Sequence, residues 1–249
     1  MTADVATGQR AWVEQIMGMP ISIHLRGADL RGAAVEEAVE ASFEELRRAD
    51  ALFSLWQRGS EVRRIRRGEL SLADSDPLVR EVADWCRQAT ERTRGAFTCE
   101  LPDEDGTRRW DPTGLVKGWA VERAAAVLDR LEGYAHSVNA GGDIALGGHD
   151  ASGPARPWRI GIEDPRDRSK IAEVVEMFRG GMATSGTAAR GAHLWDPERQ
   201  EWVRRTGSVT VVGPSLLWAD VWATALFVGP PGLVKELPRL EPDYRAIVL

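Results

Sequence analysis

Residues 208–230 read SVTVVGPSLLWADVWATALFVGP. Val209–Val212 is β-branched throughout and reads as a strand, Gly213-Pro214 turns the chain, and the residues that follow are apolar on every face of a helix. The run from Ser215 to Val234 carries one charge, Asp220, and is cut by Pro230, Pro231 and Gly232. It therefore ends well short of the roughly 20 apolar residues that a membrane span needs and reads as a buried helix. A strand feeding directly into a buried helix requires further elements on both sides to cover it.

Those elements lie upstream. Trp158–Ile162 and Ile171–Phe178 alternate as short strands. His136–Leu146 reads as strand, Gly141-Gly142 turn and strand. A helix is expected from about Lys117 to Leu131, stopping at Gly133, and another from the Asp76-Pro77 cap with Leu78, Val82, Trp85 and Ala89 inward. Val35, Val39, Phe43, Leu46, Ala49 and Phe53 recur at helical steps, and Pro20–Leu25 precedes them as a strand. Strands and helices alternate irregularly, with several hairpins. That pattern predicts an α+β fold, with mixed or antiparallel sheets flanked by helices, instead of a doubly wound parallel sheet. Neither GxGxxG nor GxxxxGK[ST] occurs, so Rossmann and P-loop sites have no support.

With 43% hydrophobic and 28% charged residues over 249 positions, the chain has the composition of a globular protein and excludes disorder. Repeats and long linkers are lacking, so the expectation is one domain over 1–249. The 38 acidic residues outnumber the 32 basic ones for a net charge of −6. This gives no electrostatic reason to coat nucleic acid or an anionic membrane. Cys86 and Cys99, without metal-ligand spacing, fit a reducing compartment. No secretory leader or lipobox cysteine is evident near the N-terminus, which predicts a cytoplasmic protein without membrane insertion.

Four segments could carry chemistry. Asp220 in an apolar helix needs a cation, either a hard metal shared with Thr224 one turn on or an arginine partner. In DPTGLVKGWAVERAAAVLDRL (111–131), Gly114 and Gly118 permit close approach and Lys117 near a helix start suits an anion. SVNAGGDIALGG (137–148) reads as a glycine turn open to a ligand or a neighbouring backbone. ATSGTAARGAHLWDP (183–197) combines small hydroxyls with His193, a candidate general base.

Taken in order with IMGMPISIHL, FSLWQRGSEVRRI, GAFT and WRIGIEDP, these segments resemble the ApbE family of FAD:protein FMN transferases over about residues 16–229. The resemblance implies an ApbE-type fold and a Mg²⁺-dependent transfer of FMN from FAD to a threonine or serine of a partner flavoprotein, with AMP leaving. By similarity, Asp220 and Thr224 hold the metal with the Val116 carbonyl. Met17 packs on the flavin or adenine, and Ala96, Phe97 and Thr98 line the dinucleotide cleft. Asp111 and Lys117 contact the cofactor or its loop, and His193 deprotonates the acceptor. FAD pyrophosphatase activity and a non-catalytic FAD binder are the alternatives. The chain departs from the family pattern at Met19, Arg66, Thr98, Glu122 and Gln200, and in the acidic stretch Cys99–Arg109.

Overall fold

The computed structural model describes residues 8–103, 105–187 and 194–249. An N-terminal hairpin of β1 (Gly8–Ile16) and β2 (Met19–Gly27) leads into the long helix α1 (Ala33–Phe53). The apolar positions predicted for α1 are all buried, together with Ser42, which donates to the Ala124 carbonyl at 2.9 Å. The short helix α2 (Glu61–Arg66) follows, then α3 (Pro77–Arg92), whose first turn is capped by the Asp76 carboxylate on Leu78 N at 2.8 Å. The fully buried residues of α3 are Val79, Val82, Cys86 and Ala89, and the expected Leu78 and Trp85 pack part-buried against the same core. Trp85 packs edge-on against the buried Trp218, with ring centroids 5.9 Å apart.

A small hairpin of β3 (Glu100–Pro102) and β4 (Arg108–Trp110) precedes α4 (Thr113–Leu128). The helix starts four residues before the expected Lys117, because Asp111 caps it by accepting from Thr113 N at 3.0 Å and Thr113 Oγ1 at 2.6 Å. The glycine turn joins β5 (Ala135–Ala140) to β6 (Asp143–Gly148), and β7 (Trp158–Asp164) pairs with β8 (Asp167–Met177). The rest comprises β9 (Gly180–Gly186), the short pair β10 (Trp195–Asp196) and β11 (Glu201–Trp202), β12 (Ser208–Gly213), α5 (Leu216–Val228), α6 (Gly232–Leu240) and β13 (Arg245–Val248).

Seven strands form one antiparallel sheet in the order β1-β2-β5-β6-β9-β12-β13. Strand alternation divides its residues between two cores. Ala145, Ala183, Val209 and Val211 join α1, α4 and α5 in the larger core, while Ile144, Leu146 and Met182 meet Trp158, Ile162, Val175 and Met177 of the β7–β8 hairpin. Helix α5 is buried at every position except Thr224, as its all-round apolarity requires. No helix among the described residues is long and apolar enough to cross a membrane.

Candidate functional site

The helices and the sheet enclose a cavity of about 1100 Å³. That volume suits a ligand at or above the upper end of the usual small-molecule range. One wall is the β1–β2 turn, a two-residue connection in which Met17 (φ 55) and Gly18 (φ 72) both adopt left-handed backbone. This is the hairpin geometry that matches strand twist, and it places Met17 on the cavity. The loop after α1 contributes Ser54–Gln57, and Ala96, Phe97 and Thr98 follow α3. Thr98 Oγ1 accepts from Glu100 N at 3.0 Å, a local turn that fixes its side chain. Trp195 and Trp202 stand on the β10–β11 side with ring centroids 5.3 Å apart.

Charge gathers where α4 crosses α5. Lys117 contacts Asp143 Oδ2, and its Nζ lies 3.7 Å from Asp220 Oδ1. Asp143, at the start of β6, accepts from Thr184 N at 3.1 Å through its other oxygen. The two carboxylate side chains are only 1% and 4% exposed, so they share one ammonium inside the protein. Burial pushes the Asp220 carboxyl up to about 7; Lys117 and the Gly118 backbone amide pull it down, and Asp143 pushes it further up. Asp220 Oδ2 is buried without a hydrogen-bond partner among the described residues. The partner of Asp220 is thus a lysine and not the arginine that the sequence left open. One turn on, Thr224 Oγ1 lies 2.9 Å from Ser185 Oγ.

Two contacts set this crossing. Gly118 lets the helices close: a methyl group there would lie 3.1 Å from Asp220 Cβ and 3.2 Å from the Leu216 carbonyl oxygen. One turn further along α4, Glu122 Oε2 accepts from Ser215 Oγ and Leu217 N, both at 2.9 Å, and so occupies the amide end of α5. Because α4 carries Lys117 and α5 carries Asp220, these contacts fix the separation of the two charges.

Met17, Ala96, Phe97, Thr98, Asp111, Val116, Lys117, Asp220 and Thr224 all line the same cavity. His193 lies outside the described residues. Asp143 is the residue missed by sequence reasoning. Its signal is the carboxylate that follows the Gly141-Gly142 turn, where an aspartate reads as turn chemistry until the fold brings Lys117 to it. No group of three or more His, Cys, Asp or Glu placed to hold a metal occurs among the described residues.

The ApbE family model matches residues 99–248. The FAD:protein FMN transferase of Escherichia coli K12 is 31% identical over 141 residues, covering 53% of this chain and 40% of that protein. Its Haemophilus influenzae counterpart is 31% identical over 150 residues, covering 56% and 42%. The aligned part thus spans less than half the length of these curated relatives. The ApbE protein of Thermotoga maritima superposes with a TM-score of 0.80 at 21% identity, covering 97% of this chain and 94% of that one. The flavin transferase ApbE of Vibrio cholerae superposes with a TM-score of 0.77 at 21% identity, covering 97% of both chains. The superpositions share the whole fold, the family match takes in α4, the glycine turn and α5, and the chain belongs to the ApbE family.

Proposed function

We propose that the chain is a Mg²⁺-dependent FAD:protein FMN transferase that moves FMN from FAD to a threonine or serine hydroxyl of a partner flavoprotein and releases AMP. The observation that carries this reading is the charge at the cavity floor. Two buried carboxylates share one lysine, and Asp220 Oδ2 has no hydrogen-bond partner among the described residues, so a second cation there would favour the ionised carboxylate that burial opposes.

The donor set fits a hard divalent ion. Asp220 Oδ2 and Thr224 Oγ1 would hold it with the Val116 carbonyl oxygen. An ion of this kind usually takes one or two carboxylates and fills its remaining positions with water and phosphate oxygens. When bound, Mg²⁺ neutralises charge on the pyrophosphate. Asp143 and Asp220 orient Lys117, whose ammonium would donate to a phosphate oxygen. Met17, Ala96, Phe97 and Thr98 would hold the dinucleotide, and Asp111 would fix the start of α4 beside it. His193 would take the proton from the acceptor hydroxyl as its oxygen attacks the FMN phosphorus and the bond to the AMP oxygen breaks. Most of the rate in such a transfer comes from positioning and charge stabilisation, which a preformed cavity supplies.

Chromatography of FAD incubated with the protein, with and without Mg²⁺ and a candidate acceptor flavoprotein, tests the reaction. The expected result is AMP formed only with Mg²⁺ and in proportion to acceptor. Equal FMN and AMP formed without acceptor would identify a pyrophosphatase instead.

A further inference from the structure

Strand β4 ties helix α2, which backs the cavity-lining Ser54–Gln57 loop, to the β10–β11 side of the cavity. Successive strand residues point to opposite sides, and Arg108 and Arg109 use both. Arg109 Nη1 donates to the Arg66 carbonyl at the end of α2 at 3.0 Å, and its guanidinium pairs with Asp103 at 3.0 Å. Arg66 pairs with the same Asp103 at 3.0 Å and reaches Asp111, on the cavity, at 3.5 Å. Helix α2 is in turn fastened to the cavity-lining loop by Ser60 Oγ, which donates to the Ser54 carbonyl at 2.6 Å.

On the other side, Arg108 donates to Gln200 Oε1 in the turn between β10 and β11. Gln200 holds left-handed backbone at φ 58, a conformation that favours glycine. Its carboxamide accounts for its presence: one end accepts from Arg108, and the other donates to the Pro197 carbonyl. Retained backbone strain of this sort accompanies positions where the side chain is used. Arg108, Gln200 and Trp202 are exposed, which puts the connection at the solvent rim. Arg66, the Cys99–Arg109 stretch and Gln200, read as separate departures in the sequence, therefore form one brace.

We propose that Arg66, Arg108 and Gln200 are positioning residues that hold helix α2, with the Ser54–Gln57 loop fastened to it, and the Trp195–Trp202 wall at a fixed separation and so set the rate at which FAD enters and leaves. The role rests on the FAD-binding reading above and adds control of exchange to it. The link across to the β10–β11 turn is the exposed Arg108–Gln200 hydrogen bond, so it opens transiently, while the part-buried pairs of Arg66 with Asp103 and Asp111 hold the other end of the brace. Removing contacts at both ends raises the open fraction by about tenfold, equivalent to about 1.4 kcal/mol.

Stopped-flow flavin fluorescence of the whole protein with FAD, for Arg66→Asn, Gln200→Gly and the double variant, tests this. Gln200→Gly relieves the left-handed strain while deleting the contact, so it separates the brace from simple loss of folding. The expected result is that association and dissociation in the double variant both speed up by about tenfold, with Kd within about threefold of the parent. An unchanged association rate, with or without faster dissociation, would overturn the proposal. A parent protein that binds no FAD would overturn the functional reading itself, and the brace with it.

Discussion

Replacing Asp220 by asparagine should make the protein more stable while destroying its activity. The side chain keeps its shape, and what is lost is a charge that the folded state accommodates poorly. The carboxyl rises from its ordinary 3.8 to about 7 on folding. The folded protein therefore retains a proton that the unfolded chain releases, and stability falls as pH rises between those two values. At pH 8 the full penalty has a ceiling of about 4 kcal/mol. A protein interior that relaxes around the charge keeps roughly half of it, about 2 kcal/mol. With a urea slope of about 2 kcal/mol per molar, Asp220→Asn should unfold at roughly 1 M higher urea at pH 8. The gap should narrow as the pH falls toward 4 and vanish below it, where the carboxyl is protonated in the unfolded chain as well as in the folded one. Added Mg²⁺ should raise the parent midpoint and leave that of the variant unchanged. An Asp220→Asn midpoint at or below the parent value at pH 8 would show that the protein alone satisfies this carboxylate, and the argument for a cation would fail.

Gly118→Ala adds a methyl group 3.1 Å from Asp220 Cβ; overpacking of about 1–3 kcal/mol should outweigh the helix gain of about 1 kcal/mol and lower the thermal midpoint. It should also weaken Mg²⁺ activation, because the methyl group pushes Asp220 away from Lys117. Glu122→Gln removes the charge that accepts from Ser215 and Leu217 at 2.9 Å, with an expected loss of about 1–2 kcal/mol in urea unfolding. His193→Ala should slow transfer by roughly 10²–10⁴-fold at unchanged FAD affinity, measured by single-turnover kinetics; lost affinity at a normal rate would make it a packing residue.

The sequence made the helices and the ligand-facing residues legible for different reasons. Helix α1 is amphipathic and its periodicity placed it, whereas α5 is uniformly apolar and its unbroken apolar run, stopped by Pro230-Pro231-Gly232, placed it. Strand β9 escaped notice as a strand because it is rich in glycine and hydroxyls. A methyl group on Gly181 would overlap the Leu216 backbone, so its composition follows from close packing on α5 and carries no β signal. The start of α4 was hidden by Pro112 and Gly114, which read as a loop, although Asp111 caps the helix there. Consequently Lys117 lies in the second turn, where its ammonium meets the carboxylates of β6 and α5. Asp220 was conspicuous because a lone charge in an apolar helix breaks a strong pattern. Asp143 breaks none, since an aspartate after two glycines is ordinary turn chemistry. Pairings such as Arg108 with Gln200 depend on the chain's path and have no local trace.

On the reading proposed above, the buried carboxylates at the α4–α5 crossing serve covalent transfer of FMN to a protein. Intact-mass spectrometry of a candidate acceptor flavoprotein, incubated with this protein, FAD and Mg²⁺, measures that directly. The expected result is a mass gain equal to one FMN on a threonine or serine, absent with EDTA and absent with Asp220→Asn. An acceptor that gains FMN equally in the presence of EDTA, or equally with Asp220→Asn, would contradict it.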